Sequence, residues 1–261
     1  MVATLPRRAF VEQIMGLPIS VHLRGPDAFG TAAERAVAAA FDELRAVDAM
    51  FSTYRPDSQV SLVNAGSLAV DEADPLVREV IELCAVATVR TEGYFDPHLP
   101  HPGGGRWFDP SGLVKGWAAE RATVHLGQLP GIDYCLNAGG DVAVGGTGEW
   151  RVGVEDPRQP DRILAVVALT GGAVATSGAA HRGAHIINPL AGTATTALAA
   201  VTVTGPSLTW ADVYATAAVA RGPSALAWLS TLDGYEALLV EPDGTLLQTA
   251  GFPPLPAAIP R

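Results

Sequence analysis

From residue 134 onward, Gly, Pro and Asp cut the chain into short aliphatic and β-branched runs at 134–144, 150–154, 163–169, 174–176 and 198–204. That pattern commits this half of the molecule to a sheet. Branched side chains fit a pleated surface, and the residues between the runs are those that turn a chain. Residues 235–240 and 245–248, split by Pro242-Asp243-Gly244, read as a closing hairpin. Helical patterns at 210–220 and 225–232 stand among these strands.

The first half reads differently. Residues 19–23 alternate like a short strand, which Gly25-Pro26-Asp27 stops. Over 31–50, Ala36, Val37, Ala40, Phe41, Leu44 and Val47 recur at three- and four-residue steps, the spacing of a helix with one apolar face. A second helix is predicted over 74–91, with Asp74 as its cap, Pro75 in its first turn and Gly93 beyond its end. Residues 52–66 between them are polar and turn-rich. From 93 to 116 glycine and proline are dense, so this stretch is expected to be mostly loop, with a third helix over 115–129. The sum is an α+β fold with a mostly antiparallel sheet, helices packed on it and long functional loops.

Composition narrows the function. The 261 residues are 48% hydrophobic and only 17% charged, the reverse of a disordered chain. Lys and Arg number 17 against 27 Asp and Glu, a net charge of −10, and no run of like charge exists. Clustered cations that could displace counterions from nucleic-acid phosphates are therefore missing, and no nucleic-acid partner is expected. A polyanionic small ligand stays open if a metal or backbone N–H groups supply the positive field. Cys84 and Cys135 are too few for a metal cluster and read as buried reduced thiols. No apolar stretch follows the N-terminal arginines, and the longest aliphatic run, 163–169, is far short of the ~20 residues of a membrane helix. A cytoplasmic protein without membrane insertion is expected.

Several segments carry polar residues that a plain connector does not need. Phe95-Asp96-Pro97 follows Gly93-Tyr94, and Asp109, Gly112, Lys115 and Gly116 precede a helix. There a phosphate could meet bare backbone and a helix N-terminus, although the Gly-Lys-Ser/Thr ending of a phosphate loop is missing. Gly139 and Gly140, between Asn137 and Asp141, make either a tight turn or a flat backbone surface for a ring or pyrophosphate. Thr176-Ser177-Gly178 leads towards His185, which is followed by Ile186-Ile187-Asn188-Pro189, and His185 is either a packing residue or a base. Asp212 and Thr216 are four apart on a helix, so both fall on one face. A carboxylate and a hydroxyl are hard-oxygen ligands suited to Mg²⁺, or else a cap and a back-bonded Thr.

In order along the chain, these segments resemble the flavin transferase (ApbE) family of FAD:protein FMN transferases. The resemblance runs through Met15-Gly16, Ser52-Thr53-Tyr54, 58–64, 93–97, 109–117, 137–141, 176–178, 185–189 and 211–216, covering roughly residues 15–222. It implies a T-fold-like domain over 15–261 after an N-terminal extension, residues 1–14, with FAD in a cleft and Mg²⁺ at its pyrophosphate. The implied reaction moves FMN onto a Ser or Thr hydroxyl of an acceptor flavoprotein and releases AMP. By position, Asp212, Thr216 and the Gly112 carbonyl would ligate Mg²⁺. Met15, Tyr94, Phe95, Asp96, Asp109, Lys115, Gly139, Gly140 and Ser177 would line the FAD site, and His185 would be the base. The chain departs from the family pattern at Ala180, Asn188 and Ala215. Two further readings use the same site: an Mg²⁺-dependent FAD pyrophosphatase, and a flavin-binding protein with no activity.

Overall fold

The computed structural model describes residues 5–100, 104–178 and 186–255. Its centre is an eight-stranded sheet in the order β1-β2-β5-β6-β9-β12-β13-β14, antiparallel at every described pairing. The strands are β1 (Arg7–Ile14), β2 (Leu17–Arg24), β5 (Asp133–Ala138), β6 (Asp141–Gly145), β9 (Gly172–Gly178), β12 (Ala200–Gly205), β13 (Glu236–Val240) and β14 (Leu246–Gln248). Two short pairs, β3 (His98–Pro100) with β4 (Arg106–Phe108) and β10 (Ile187–Asn188) with β11 (Thr193–Ala194), lie outside it. A long hairpin of β7 (Trp150–Asp156) and β8 (Gln159–Leu169) forms a separate two-stranded sheet.

Strand periodicity sorts the two faces. Along β9, Ala173 and Ala175 join the main core while Val174 joins a second one. Along β13, Ala237 and Leu239 face the main core, and Leu238 and Val240 face the second. The main core is roofed by α1 (Thr31–Phe51), α3 (Pro75–Arg90), α4 (Ser111–Gly127) and α5 (Leu208–Arg221). The second is closed by Val154, Leu164, Ala165 and Val167 of the β7–β8 hairpin together with Phe252. Side chains alternate across a strand, so a sheet covered on both sides needs apolar residues at consecutive positions. The unbroken aliphatic runs of the second half supply them.

The predicted helices α1 and α3 form, and Asp74 caps α3 by accepting from the Leu76 N–H at 2.8 Å. The run 134–144 is two strands joined by a turn at Gly139-Gly140, with φ of 63° and 104°. Four features differ from expectation. Residues 7–14, inside the stretch expected as an extension, form edge strand β1 and pair with β2 along its length through a Met15-Gly16 turn. Both turn residues have positive φ, 56° and 70°, as the twist of a two-residue hairpin requires. The polar stretch 52–66 holds a six-residue helix, α2 (Gln59–Asn64), capped by the Ser58 hydroxyl.

The third helix begins at Ser111, four residues before the predicted start, inside the stretch expected as loop. Its glycines serve packing. A Cβ on Gly112 would lie 3.1 Å from the Phe95 ring, and one on Gly116 would lie 2.9 Å from the Leu208 carbonyl. Near the end of the chain the last helix, α6 (Ala225–Leu229), is shorter than the pattern at 225–232 predicts. Among the described residues no helix is long and apolar enough to cross a membrane.

Candidate active site

The antiparallel registers bring several strand ends to one edge of the sheet. Ile19 pairs with Ala138, Ala138 with Asp141, Val142 with Val174, and Gly178 with Ala200. The Met15-Gly16 turn, the Gly139-Gly140 turn and the Ser177-Gly178 strand end therefore share one rim. The Gly139 N–H donates to the Pro18 carbonyl at 3.2 Å, and the Gly140 N–H donates to Asn137 Oδ1 at 2.8 Å. The first turns of α4 and the middle of α5 reach this rim from the helical face.

Helix α5 is buried on all sides, with alanines at 211, 215, 217, 218 and 220 that let the sheet and α4 approach. Within this apolar helix Asp212 is 2% exposed. Burying a carboxylate is expensive unless it is paired, and Lys115 of α4 meets it with its ammonium 3.3 Å from Asp212 Oδ1. The same ammonium donates to Asp141 Oδ2. Asp141, 1% exposed, is held from its other oxygen by the Thr176 N–H at 3.1 Å. One turn beyond Asp212, the Thr216 hydroxyl lies 2.9 Å from Ser177 Oγ of β9. Lys115, Asp141, Ser177, Asp212 and Thr216 thus meet from α4, β6, β9 and α5, with two buried carboxylates sharing one ammonium.

The remaining expected residues are held by local contacts. Phe95 is buried beneath the first turn of α4, and its N–H donates to the Thr91 hydroxyl at 3.0 Å. Tyr94 lies under the Arg221 guanidinium, 4.7 Å from the ring centroid. Asp96 accepts from the His98 N–H at 2.8 Å and from Arg106, bracing the β3–β4 hairpin. Asp109 accepts from the Ser111 N–H at 3.0 Å and so starts α4. Met15 sits in its hairpin turn, packed partly on the core. His185 lies outside the described residues.

Asp141 joins this cluster although the sequence analysis gave it no role; its signal was an acid placed directly after Gly139-Gly140 at a strand start. Cys84 is a buried free thiol as expected, whereas the free thiol of Cys135 is only part-buried. Burial pushes Cys84 up to about 12, helped by the charge of Asp109, and burial pushes Cys135 up to about 11. No group of three or more His, Cys, Asp or Glu placed to hold a metal is found among the described residues. The oxygen set of Asp212, Thr216 and a backbone carbonyl is a different kind of donor group.

Comparison with known proteins agrees with this fold. The family model described as the ApbE family matches residues 15–101 and 98–239. The flavinyl transferase ApbE of Pseudomonas stutzeri, apo form, superposes with a TM-score of 0.82 at 23% identity, covering 97% of this chain and 98% of that one. The ApbE protein of Thermotoga maritima gives 0.80 at 22% identity over 95% and 98%. The flavin transferase ApbE of Vibrio cholerae gives 0.79 at 20% over 97% and 100%. No curated protein sequence matches.

Proposed function

The chain belongs to the ApbE family, and from that premise we propose that it is an FAD:protein FMN transferase. A Ser or Thr hydroxyl of an acceptor flavoprotein attacks the phosphorus on the FMN side of FAD. The bond from that phosphorus to the bridging oxygen breaks, AMP leaves, and the hydroxyl proton passes to His185. The observation that carries this reading is the meeting of Lys115, Asp141, Asp212 and Thr216 at the sheet rim.

Asp212, the Thr216 hydroxyl and the Gly112 carbonyl would hold Mg²⁺, and they suit it. All three are hard oxygens, Asp212 and Thr216 share one face of α5, and among the described residues Asp212 and Asp141 share the one Lys115 ammonium. Gly112 lies in the first turn of α4, where a carbonyl keeps a second lone pair after its helical bond. When bound, the ion supplies positive charge against the pyrophosphate oxygens as the P–O bond breaks.

The protein's own groups do the rest. Ser177 orients the Thr216 hydroxyl, and Asp141 holds the Lys115 ammonium beside the position of the phosphates. Gly139 and Gly140 present backbone without side chains, so a flat ring can lie close. Met15, Tyr94, Phe95, Asp96 and Asp109 line the flavin site. A neutral hydroxyl is a poor nucleophile at pH 7, and an imidazole in hydrogen-bond reach corrects that, which is the role of His185.

The test is intact-mass spectrometry of a peptide patterned Asp-x-x-Thr-Gly-Ala-Thr, incubated with the protein, FAD and Mg²⁺, with free AMP followed in parallel. The expected result is a metal-dependent gain of one FMN matched by AMP. AMP without a mass gain would make the protein an FAD pyrophosphatase. Retained FAD with no AMP, for this peptide and for full-length acceptor flavoproteins, would make it a flavin-binding protein.

A further inference from the structure

Lys115 is in an unusual position for a residue that serves only to meet phosphates. Its ammonium lies between two carboxylates that are 1% and 2% exposed, while its own side chain is 22% exposed. The acids cannot retreat. The Thr176 N–H pins Asp141, and Asp212 sits in a helix pressed against α4, where Gly116 leaves no room for even a Cβ. The lysine can move, because its side chain is partly exposed and its head is a compact point charge on a flexible four-carbon stem.

We propose that Lys115 is a placeholder cation. It neutralises Asp212 before a divalent cation arrives, then releases Asp212 and falls back on Asp141. Asp141 is thereby a positioning residue: by retaining Lys115 it sets how readily Asp212 is given up. This rests on the reading of Asp212 and Thr216 as the cation ligands. Its consequence is that substitutions at Lys115 and Asp141 move cation affinity in opposite directions. Without the lysine its competition for Asp212 is gone. Without the Asp141 carboxylate the lysine keeps Asp212 as its ion-pair partner among the described residues, and it competes harder.

The experiment uses the full chain, with and without FAD, and titrates Mg²⁺ calorimetrically while following the cation-induced shift of the unfolding midpoint. Lys115→Met is expected to bind Mg²⁺ on the order of tenfold more tightly than the parent, and Asp141→Asn on the order of tenfold more weakly, an ordinary size for coupled equilibria. Asp212→Asn is expected to show no saturable binding. Lys115→Gln makes the same charge change with a polar head and replaces the Met variant should that one not fold. General loosening of the site would weaken binding in every variant, so the opposed signs are diagnostic. A Lys115 variant no tighter than the parent, or an Asp141 variant no weaker, overturns the placeholder role while leaving the metal reading intact. Absence of Mg²⁺ binding in the parent chain, with FAD and without it, overturns the metal reading itself and this inference with it.

Discussion

Two buried carboxylate clusters in this molecule differ in the ratio of acids to bases among the described residues. At the sheet rim, Asp141 and Asp212 share Lys115. At the tip of the β7–β8 hairpin, Asp156 is fully buried and surrounded by donors. It accepts from the Arg158 N–H at 3.0 Å, from Arg158 Nε at 3.1 Å and from Arg158 Nη2 at 3.2 Å, and Arg162 stands 3.7 Å away. The Arg158 guanidinium also donates to the Asp243 carbonyl, tying the hairpin to the β13–β14 connection. One acid with two bases is a closed structural joint. At the rim, among the described residues, one base serves two acids, one of them a proposed cation ligand. Burial is common to both, so the ratio of acids to bases rather than burial distinguishes the proposed site from the hairpin joint.

That contrast can be broken by mutation. The largest effect is expected for Asp212→Asn, which removes a proposed cation ligand while leaving Lys115 paired with Asp141. FMN transfer should fall on the order of a thousandfold, with an unfolding midpoint close to the parent's. Parent-level transfer would show the rim cluster to be as structural as the hairpin joint. Asp156→Ala should do the reverse. Losing the buried partner of two part-exposed arginines is expected to destabilise the fold by about 2–3 kcal/mol, read by urea unfolding, with Mg²⁺ affinity unchanged.

Gly116→Ala probes the rim from its packing side. The added Cβ would lie 2.9 Å from the Leu208 carbonyl and 3.0 Å from Asp212 Cβ, so α4 and α5 must separate. A loss of about 1–3 kcal/mol is expected, together with weakened Mg²⁺ binding, because the same movement draws the Gly112 carbonyl of α4 away from Asp212 and Thr216 of α5.

The smallest expected effect is on pH dependence. Burial pushes the Asp156 carboxyl up, but hydrogen bonds and charge from Arg158, with charge from Arg162, outweigh it and hold the carboxyl below its usual range. Asp133 behaves alike: burial opposes, and the Thr147 and Gly148 N–H groups with Arg24 prevail. A carboxyl depressed in the folded state adds stability that is fully present above its unfolded value near ~3.9 and is lost as pH falls through the folded value. Thermal melts should therefore fall off below about pH 4, and Asp156→Asn should flatten that acid limb. An unchanged limb in the variant would mean that Asp156 contributes little to it.

How far the sequence could be read depended on whether a signal was local. Helix α3 was legible because its cap, its Pro and its breaker all lie within the segment. Strand β1 was not, because it is a sheet edge whose residues 7–13 are exposed or half-buried, so no apolar alternation marks it. The start of α4 was hidden for another reason. Gly112 and Gly116 are poor helix formers, and the helix prevails there because Phe95 and α5 need the space that a side chain would take. Asp141 looked like part of a turn until the β5–β6 hairpin set it beside Thr176 and under Lys115.

By itself, then, the sequence determined the elements that covalent spacing controls. These include the periodic helices, the strands between breakers, and the placing of Asp212 and Thr216 on one helical face, since four residues make about one turn. It also carried the ordered motifs by which the family could be recognised. Only the tertiary structure decided which charge meets which. Lys115 and Asp141 are 26 residues apart, Ser177 and Thr216 are 39 apart, and no local rule relates them. Their meeting depends on how α4 and α5 stack on the sheet, a result of packing summed over the whole core.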